Sequence, residues 1–147
     1  IQFAFGAKMT DSEYLPHNFP KNCVAYTGTH DNETILGWLG SANAKTVKNV
    51  ERYFRLHKNE GKNWAIMKGA LATPANTVIL QMPDLLGLDN RARVNEPSTL
   101  GRNWRWRVRS ECINSWLANL ILGAATIYFR TPPTAKAPVF DGETENK

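Results

Sequence analysis

Three short apolar runs, each closed by polar residues, read as strands: 1–5, 24–27 and 77–81. The second leads into Gly28-Thr29-His30-Asp31-Asn32 and the third into Met82-Pro83-Asp84. Between them the apolar period lengthens. Val47, Val50 and Phe54 recur at helical spacing, with Ser41 as a candidate cap. A second helix is predicted over 63–72, with Trp64, Met67 and Leu71 on its apolar side and Pro74 beyond its end. A last helix is drawn over 109–130, using Ile113, Trp116, Leu117, Leu120, Ile121 and Ala124 as its buried stripe.

Strand, helices, strand is the grammar of a parallel sheet, whose crossovers need a dozen or more residues and a helix to cover the sheet. Barrel enzymes place their chemistry where the carboxyl ends of such strands meet polar loops. Residues 14–22, with Pro16 and Pro20, read as a structured loop after the first strand. After Arg130 the composition turns to Pro132, Pro133 and Pro138 and then to an acidic end. The expected organisation is therefore an α/β unit over 1–130 and a loose tail over 131–147. The chain opens directly on an apolar run with no initiator Met, which predicts a start inside a larger protein.

Composition narrows the class. With 147 residues, 42% hydrophobic and 21% charged, the chain is ordinary globular sequence. A net charge of +5 would suit an anionic partner, but the basic residues are scattered except between Arg102 and Arg109. Cys23 and Cys112 lack the spacing of a metal or redox motif and read as buried or half-buried thiols in a reducing compartment. The longest apolar candidate, 116–129, is broken by Asn119, Gly123 and Thr126, so no membrane span is predicted, and the start lacks a signal peptide's basic flank.

Candidate chemistry concentrates in Tyr26-Thr27-Gly28-Thr29-His30-Asp31-Asn32-Glu33-Thr34, a His and two carboxylates directly behind a buried strand. Spacing alone leaves two readings open, catalysis or the capping of a turn or following helix. The neighbours add to it: Leu15-Pro16-His17-Asn18, Gly37-Trp38, Arg91-Ala92-Arg93-Val94-Asn95-Glu96-Pro97 and Gly101-Arg102-Asn103-Trp104-Arg105-Trp106-Arg107. In that order, from Ile1 to about Arg107 and more faintly to Arg130, the set resembles the amylomaltases, the disproportionating 4-α-glucanotransferases.

The resemblance implies an α/β fold, the carboxyl-terminal part of a (β/α)8 TIM barrel, with the three strands as its sixth, seventh and eighth. Such enzymes cut an α-1,4 bond and pass the glucan to another sugar with retention. Retention needs a nucleophilic carboxylate and an acid/base carboxylate about 5 Å apart. In the family these sit on the fourth and fifth strands, which this chain lacks, so it is expected to be inactive alone. The family's third carboxylate is matched by Asp31, with His30 beside it. A carboxylate there accepts hydrogen bonds from sugar hydroxyls, and these strengthen as the ring flattens toward an oxocarbenium ion.

By the same resemblance Asn95 bonds a sugar hydroxyl or shapes its loop, and His17 and Asn18 bind glucan or satisfy loop backbone. Phe5 lines the cleft or belongs to the core. The implied partners are α-1,4-glucans such as maltooligosaccharides, starch or glycogen, with neither nucleic acid nor membrane. No cofactor or metal is implied, and His17, His30 and Asp31 have no zinc-ligand spacing. The implied location is the cytoplasm, or a plastid in a plant or alga.

The Asn103–Arg107 run admits another class, a basic nucleic-acid-binding module that stacks bases on exposed indoles. In the amylomaltase reading the indoles are buried and the guanidiniums paired with carboxylates. The chain departs from the family in Pro83, where Gln usually precedes Asp, which removes a side-chain amide there. Glu33 stands for the usual Asp and Val94 for Met, and Gly123-Ala124-Ala125 and the tail match poorly.

Overall fold

The computed structural model describes residues 1–6, 12–56 and 59–132. Its contacts divide the chain into two units, Ile1–Val108 and Arg109–Lys147. In the first unit strands β1 (Val24–Tyr26) and β2 (Thr77–Ile79) pair in parallel, with Val24 opposite Thr77 and Tyr26 opposite Ile79. Parallel neighbours cannot be joined by a tight turn, and three helices fill the crossover.

The first is α1 (Ile35–Ser41), capped by Thr34, whose hydroxyl accepts from the Gly37 N–H at 3.1 Å. Sequence periodicity did not anticipate it, because Gly37 and Gly40 lower helix propensity in an already short segment. Then comes α2 (Ala44–Phe54), capped by Asn43, whose side-chain oxygen accepts from the Thr46 N–H at 2.9 Å. The cap is thus Asn43, and Ser41 is the last residue of the helix before. Third is α3 (Lys62–Leu71), which buries Trp64, Ala65, Ile66, Met67, Ala70 and Leu71. A helix apolar on most of its circumference belongs in a core. A Cβ on Gly69 would lie 2.2 Å from the Phe54 ring, so glycine lets α2 pack closely on α3. After β2 the chain forms the short α4 (Met82–Leu85), with Pro83 in the first turn where no N–H is needed.

The expected first strand is instead a single 3-10 turn over Gln2–Phe5. The Ile1 and Gln2 nitrogens donate to Tyr26 O at 3.0 Å and Thr27 O at 3.2 Å, at the carboxyl end of β1. The chain then folds back, the Ala4 N–H bonding Ile1 O at 2.9 Å. The burial pattern follows from that turn: Ala4 and Phe5 are both buried and Phe3 is exposed, where a strand would alternate. Phe5 has no exposed surface and sits among Tyr53, Phe54 and Trp38, with ring centroids 5.3, 5.5 and 6.3 Å away.

In the second unit the expected helix over 109–130 is shorter. A 3-10 turn takes Ser110–Cys112, and α5 (Ser115–Ile127) begins after Asn114, which accepts from the Leu117 N–H at 3.0 Å. An asparagine capping the first turn explains the later start. Of the expected stripe Leu117 and Ala124 are buried, Leu120 and Ile121 half-buried, and Ile113 and Trp116 exposed. Residues 133–147, most of the expected tail, lie outside the described residues. Cys23 and Cys112 are free and half-buried. No helix among the described residues is long and apolar enough to cross a membrane.

Candidate functional site

The loops leaving the carboxyl ends of β1 and β2 are tied to each other. Gln81, just past β2, donates its side-chain amide to Gly28 O at 2.8 Å and Thr29 O at 2.9 Å. Sequence reading noted the amide missing at Pro83 and overlooked the one supplied two residues earlier.

The loop from Thr27 to Ile35 is also held at both ends by one buried acid. Asp84, 1% exposed, accepts the Thr27 hydroxyl at 3.2 Å on Oδ2 and the Ile35 N–H at 2.7 Å on Oδ1. Its carbonyl accepts from the Asn63 amide of α3 at 2.8 Å. Burial pushes the Asp84 carboxyl above the usual carboxylate range, opposed by its bonds from Ile35 and Thr27. Sequence reading assigned Asp84 no role, although an acid between Pro83 and Leu85-Leu86 behind a strand is the available signal.

Between these anchors the chain turns at Thr29–Asn32. The Asn32 N–H bonds Thr29 O at 3.0 Å, and the Asn32 side-chain oxygen accepts the Thr29 N–H at 2.8 Å and its hydroxyl at 3.0 Å. His30 and Asp31 are the two middle residues, where a turn projects side chains outward. About half of each side chain is exposed, and His30 Nε2 lies 3.3 Å from Asp31 Oδ1.

A distant segment completes the cluster. Asn95 donates its side-chain amide to Asp31 Oδ1 at 2.5 Å, and its backbone N–H to His30 O at 3.1 Å. Arg93 donates through Nη2 to Asp31 O at 2.7 Å and through Nε to Asn95 O at 2.9 Å, clasping both segments by their carbonyls. The Trp104 ring packs on His30, with centroids 4.9 Å apart. Among the described residues Asp31 Oδ2 accepts no hydrogen bond, leaving one carboxylate oxygen for a hydroxyl-bearing ligand.

The structure thus gathers His30, Asp31 and Asn95 and uses the other candidates elsewhere. His17, in a 3-10 turn over Pro16–Asn18, bonds through Nδ1 to the Tyr53 hydroxyl at 2.7 Å and stacks on that ring. Asn18 donates to Ser12 O at 3.0 Å, closing its own loop. Phe5 is a core residue, and no sugar face reaches its ring. Among the described residues no group of three or more His, Cys, Asp or Glu is placed to hold a metal ion.

The Asn103–Arg107 run differs from the expectation of buried indoles and carboxylate-paired arginines. Trp104 is 56% exposed and Trp106 half-buried. Arg107 donates to the carbonyls of Trp104 at 2.9 Å and Trp106 at 2.8 Å. Trp104 adopts a left-handed backbone, φ 64°, and the Arg107 guanidinium is taken up by carbonyls of its own run instead of reaching a carboxylate. Beside it lies a cavity of about 530 Å³ lined by Glu33, Asn90, Arg93, Arg102, Arg105 and Trp106, among others. Asn90, in that lining, donates to Glu33 Oε1 at 2.5 Å and accepts the Thr34 N–H at 3.3 Å. A Cβ on Gly37 would lie 2.0 Å from the Asn90 side-chain oxygen, so the glycine of α1 makes room for this bridge.

The sequence profile of a family described as 4-alpha-glucanotransferase matches residues 1–113. The 4-alpha-glucanotransferase of Clostridium butyricum is 48% identical over 131 residues, 88% of this chain and 27% of that protein. A chloroplastic/amyloplastic 4-alpha-glucanotransferase of Oryza sativa subsp. japonica is 42% identical over 110 residues, 75% of this chain and 18% of its own length. The amylomaltase from Streptococcus agalactiae, solved in complex with acarbose, superposes with a TM-score of 0.85 at 35% identity, over 89% of this chain and 26% of that one. The chain therefore spans about a quarter or less of the length of these relatives.

Proposed function

This chain belongs to the 4-alpha-glucanotransferase family, and we propose that it contributes the transition-state-stabilising side of a retaining α-1,4-glucan transfer centre. β1 and β2 serve as the seventh and eighth strands of a (β/α)8 barrel. The bonds from the Ile1 and Gln2 nitrogens to the Tyr26 and Thr27 carbonyls support a sixth-strand segment beside β1. Loops at the carboxyl ends of parallel strands then form the cleft wall.

Asp31 is the carboxylate that accepts hydroxyls of the sugar being cleaved. As positive charge develops on the anomeric carbon those hydroxyls become better donors, so the bond is stronger in the transition state than in the ground state. Asn95 holds Oδ1 and keeps Oδ2 presented, and His30 offers a second polar edge to the same ring. The nucleophile and acid/base that retention requires belong to the fourth and fifth strands of such a barrel, and their matches are not in this segment. The observation that carries this reading is the convergence of Asp31, His30 and Asn95 beyond β1.

Acarbose, found in the Streptococcus agalactiae amylomaltase, is the probe. Calorimetric titration of the protein should show saturable binding that Asp31→Asn weakens by about tenfold or more, the loss of one charge-assisted hydrogen bond. Equal affinity of the variant and the parent would remove Asp31 from the sugar. Glucose release from maltotriose by the 147-residue chain alone should stay at background. Turnover that Asp31→Ala abolishes would show that the chain holds the whole machinery.

A further inference from the structure

We propose that Trp104 is a glucan-stacking platform, an aromatic wall beside Asp31 and His30 that binds the apolar face of a sugar ring. The inference rests on the glucan reading above and adds a binding residue to it. Three observations meet at this side chain.

The indole is 56% exposed, in a segment where Asn103 and Arg107 bond neighbouring backbone. A large aromatic left partly in solvent keeps a face open to a ligand, and here that exposure coincides with two further features. Its backbone is left-handed, φ 64°, a region that bulky residues avoid and that glycine adopts freely. The nearby Gly101, φ 103°, shows that this loop uses glycine at another such position. Trp104 is held there by its N–H bond to Val94 O at 2.8 Å, one residue before Asn95. Strained, over-determined backbone of this kind collects at ligand clamps.

The third observation is position. The ring contacts His30 at 4.9 Å and a 42° tilt, so part of it packs on the histidine while the rest stays open. His30 adjoins Asp31, and an apolar wall therefore stands within one side chain of a carboxylate with a free oxygen. Pyranose rings ask for this pair of features. Their hydroxyl edge takes carboxylates and amides, and their C–H face packs on aromatic faces.

Acarbose titration of the protein, read by calorimetry and by tryptophan emission, tests it. Trp104→Ala should weaken binding roughly tenfold, the loss of one stacking contact. Trp104→Gly should weaken it equally, and because glycine relieves the left-handed backbone its fold is retained, with an unfolding temperature at or above that of the parent. Trp104→Phe should keep affinity within about threefold while removing the ligand-induced emission change. Unchanged affinity in the Ala and Gly variants, with the parent binding, would overturn the platform alone. So would an emission change in the Phe variant as large as the parent's. A parent protein that does not bind acarbose would overturn the glucan reading, and the platform with it.

Discussion

Asp84 accepts the backbone N–H of Ile35 at 2.7 Å, the first N–H of α1, from a carboxylate with 1% exposure. The same carboxylate takes the Thr27 hydroxyl, so both ends of the segment carrying His30 and Asp31 hang on one buried acid. Glu33, inside that segment, is tied separately, its carbonyl accepting the Gln2 amide at 2.9 Å. The tip of the loop is exposed and its base is rigidly held, an arrangement that presents polar groups to a ligand at low entropic cost.

Stability should carry the signature of Asp84. Its folded-state pKa lies above the ordinary value, so the folded protein binds the proton more tightly than the unfolded chain. The stability from that preference is fully present below the unfolded pKa and is lost as pH rises through the raised one. Asp84→Asn cannot ionise and keeps an acceptor for Ile35. Urea midpoints measured against pH should therefore show the variant gaining on the parent as pH rises across that window. A constant difference between the two would mean that Asp84 titrates alike in both states.

Asn95 and His17 should separate binding from folding. Asn95→Ala removes the amide on Asp31 and should weaken acarbose binding by about tenfold, with little change in unfolding temperature because the bond is exposed. His17→Ala removes an equally exposed bond to Tyr53 and the stacking on its ring, and should lower stability by less than about 1 kcal/mol while leaving acarbose affinity unchanged. Paired calorimetry and thermal melts read both effects, and a drop in sugar affinity for the His17 variant would return that residue to the site.

Phe5→Ala should be among the most damaging single changes. The ring is fully buried against Tyr53, Phe54 and Trp38, and truncating such a residue costs about 3–5 kcal/mol from lost transfer energy and the cavity left behind. Denaturant unfolding measures this directly. A loss below about 1 kcal/mol would place Phe5 outside the core.

Much of the helical layer was legible because apolar period is local. Trp64, Met67 and Leu71 marked α3 to within a residue at its start, and Val47, Val50 and Phe54 marked α2. The two paired strands were equally visible as apolar runs ending in polar clusters. The first run misled, since Ile1-Gln2-Phe3-Ala4-Phe5 suits a strand by composition, yet after Ile1 and Gln2 bond Tyr26 and Thr27 the Ala4 N–H closes a 3-10 turn on Ile1 O. Helix α1 stayed hidden because Gly37 serves a contact with a distant residue, Asn90, which no local period records.

The chain's own order of residues determined the family likeness, the parallel strand–helix–strand grammar and the choice of Asp31, His30 and Asn95, because motifs and periods are properties of neighbours along the chain. Tertiary structure alone decided which residues share a site. It set Asn95 on Asp31, bonded His17 to Tyr53, buried Phe5, tied Gln81 and Asp84 to the loop and left Trp104 partly open beside His30. Those relationships join segments up to 74 residues apart, counting from His30 to Trp104. Hydrogen bonds and ring contacts act over a few ångströms of space, and separation along the chain does not encode that distance until the backbone has folded.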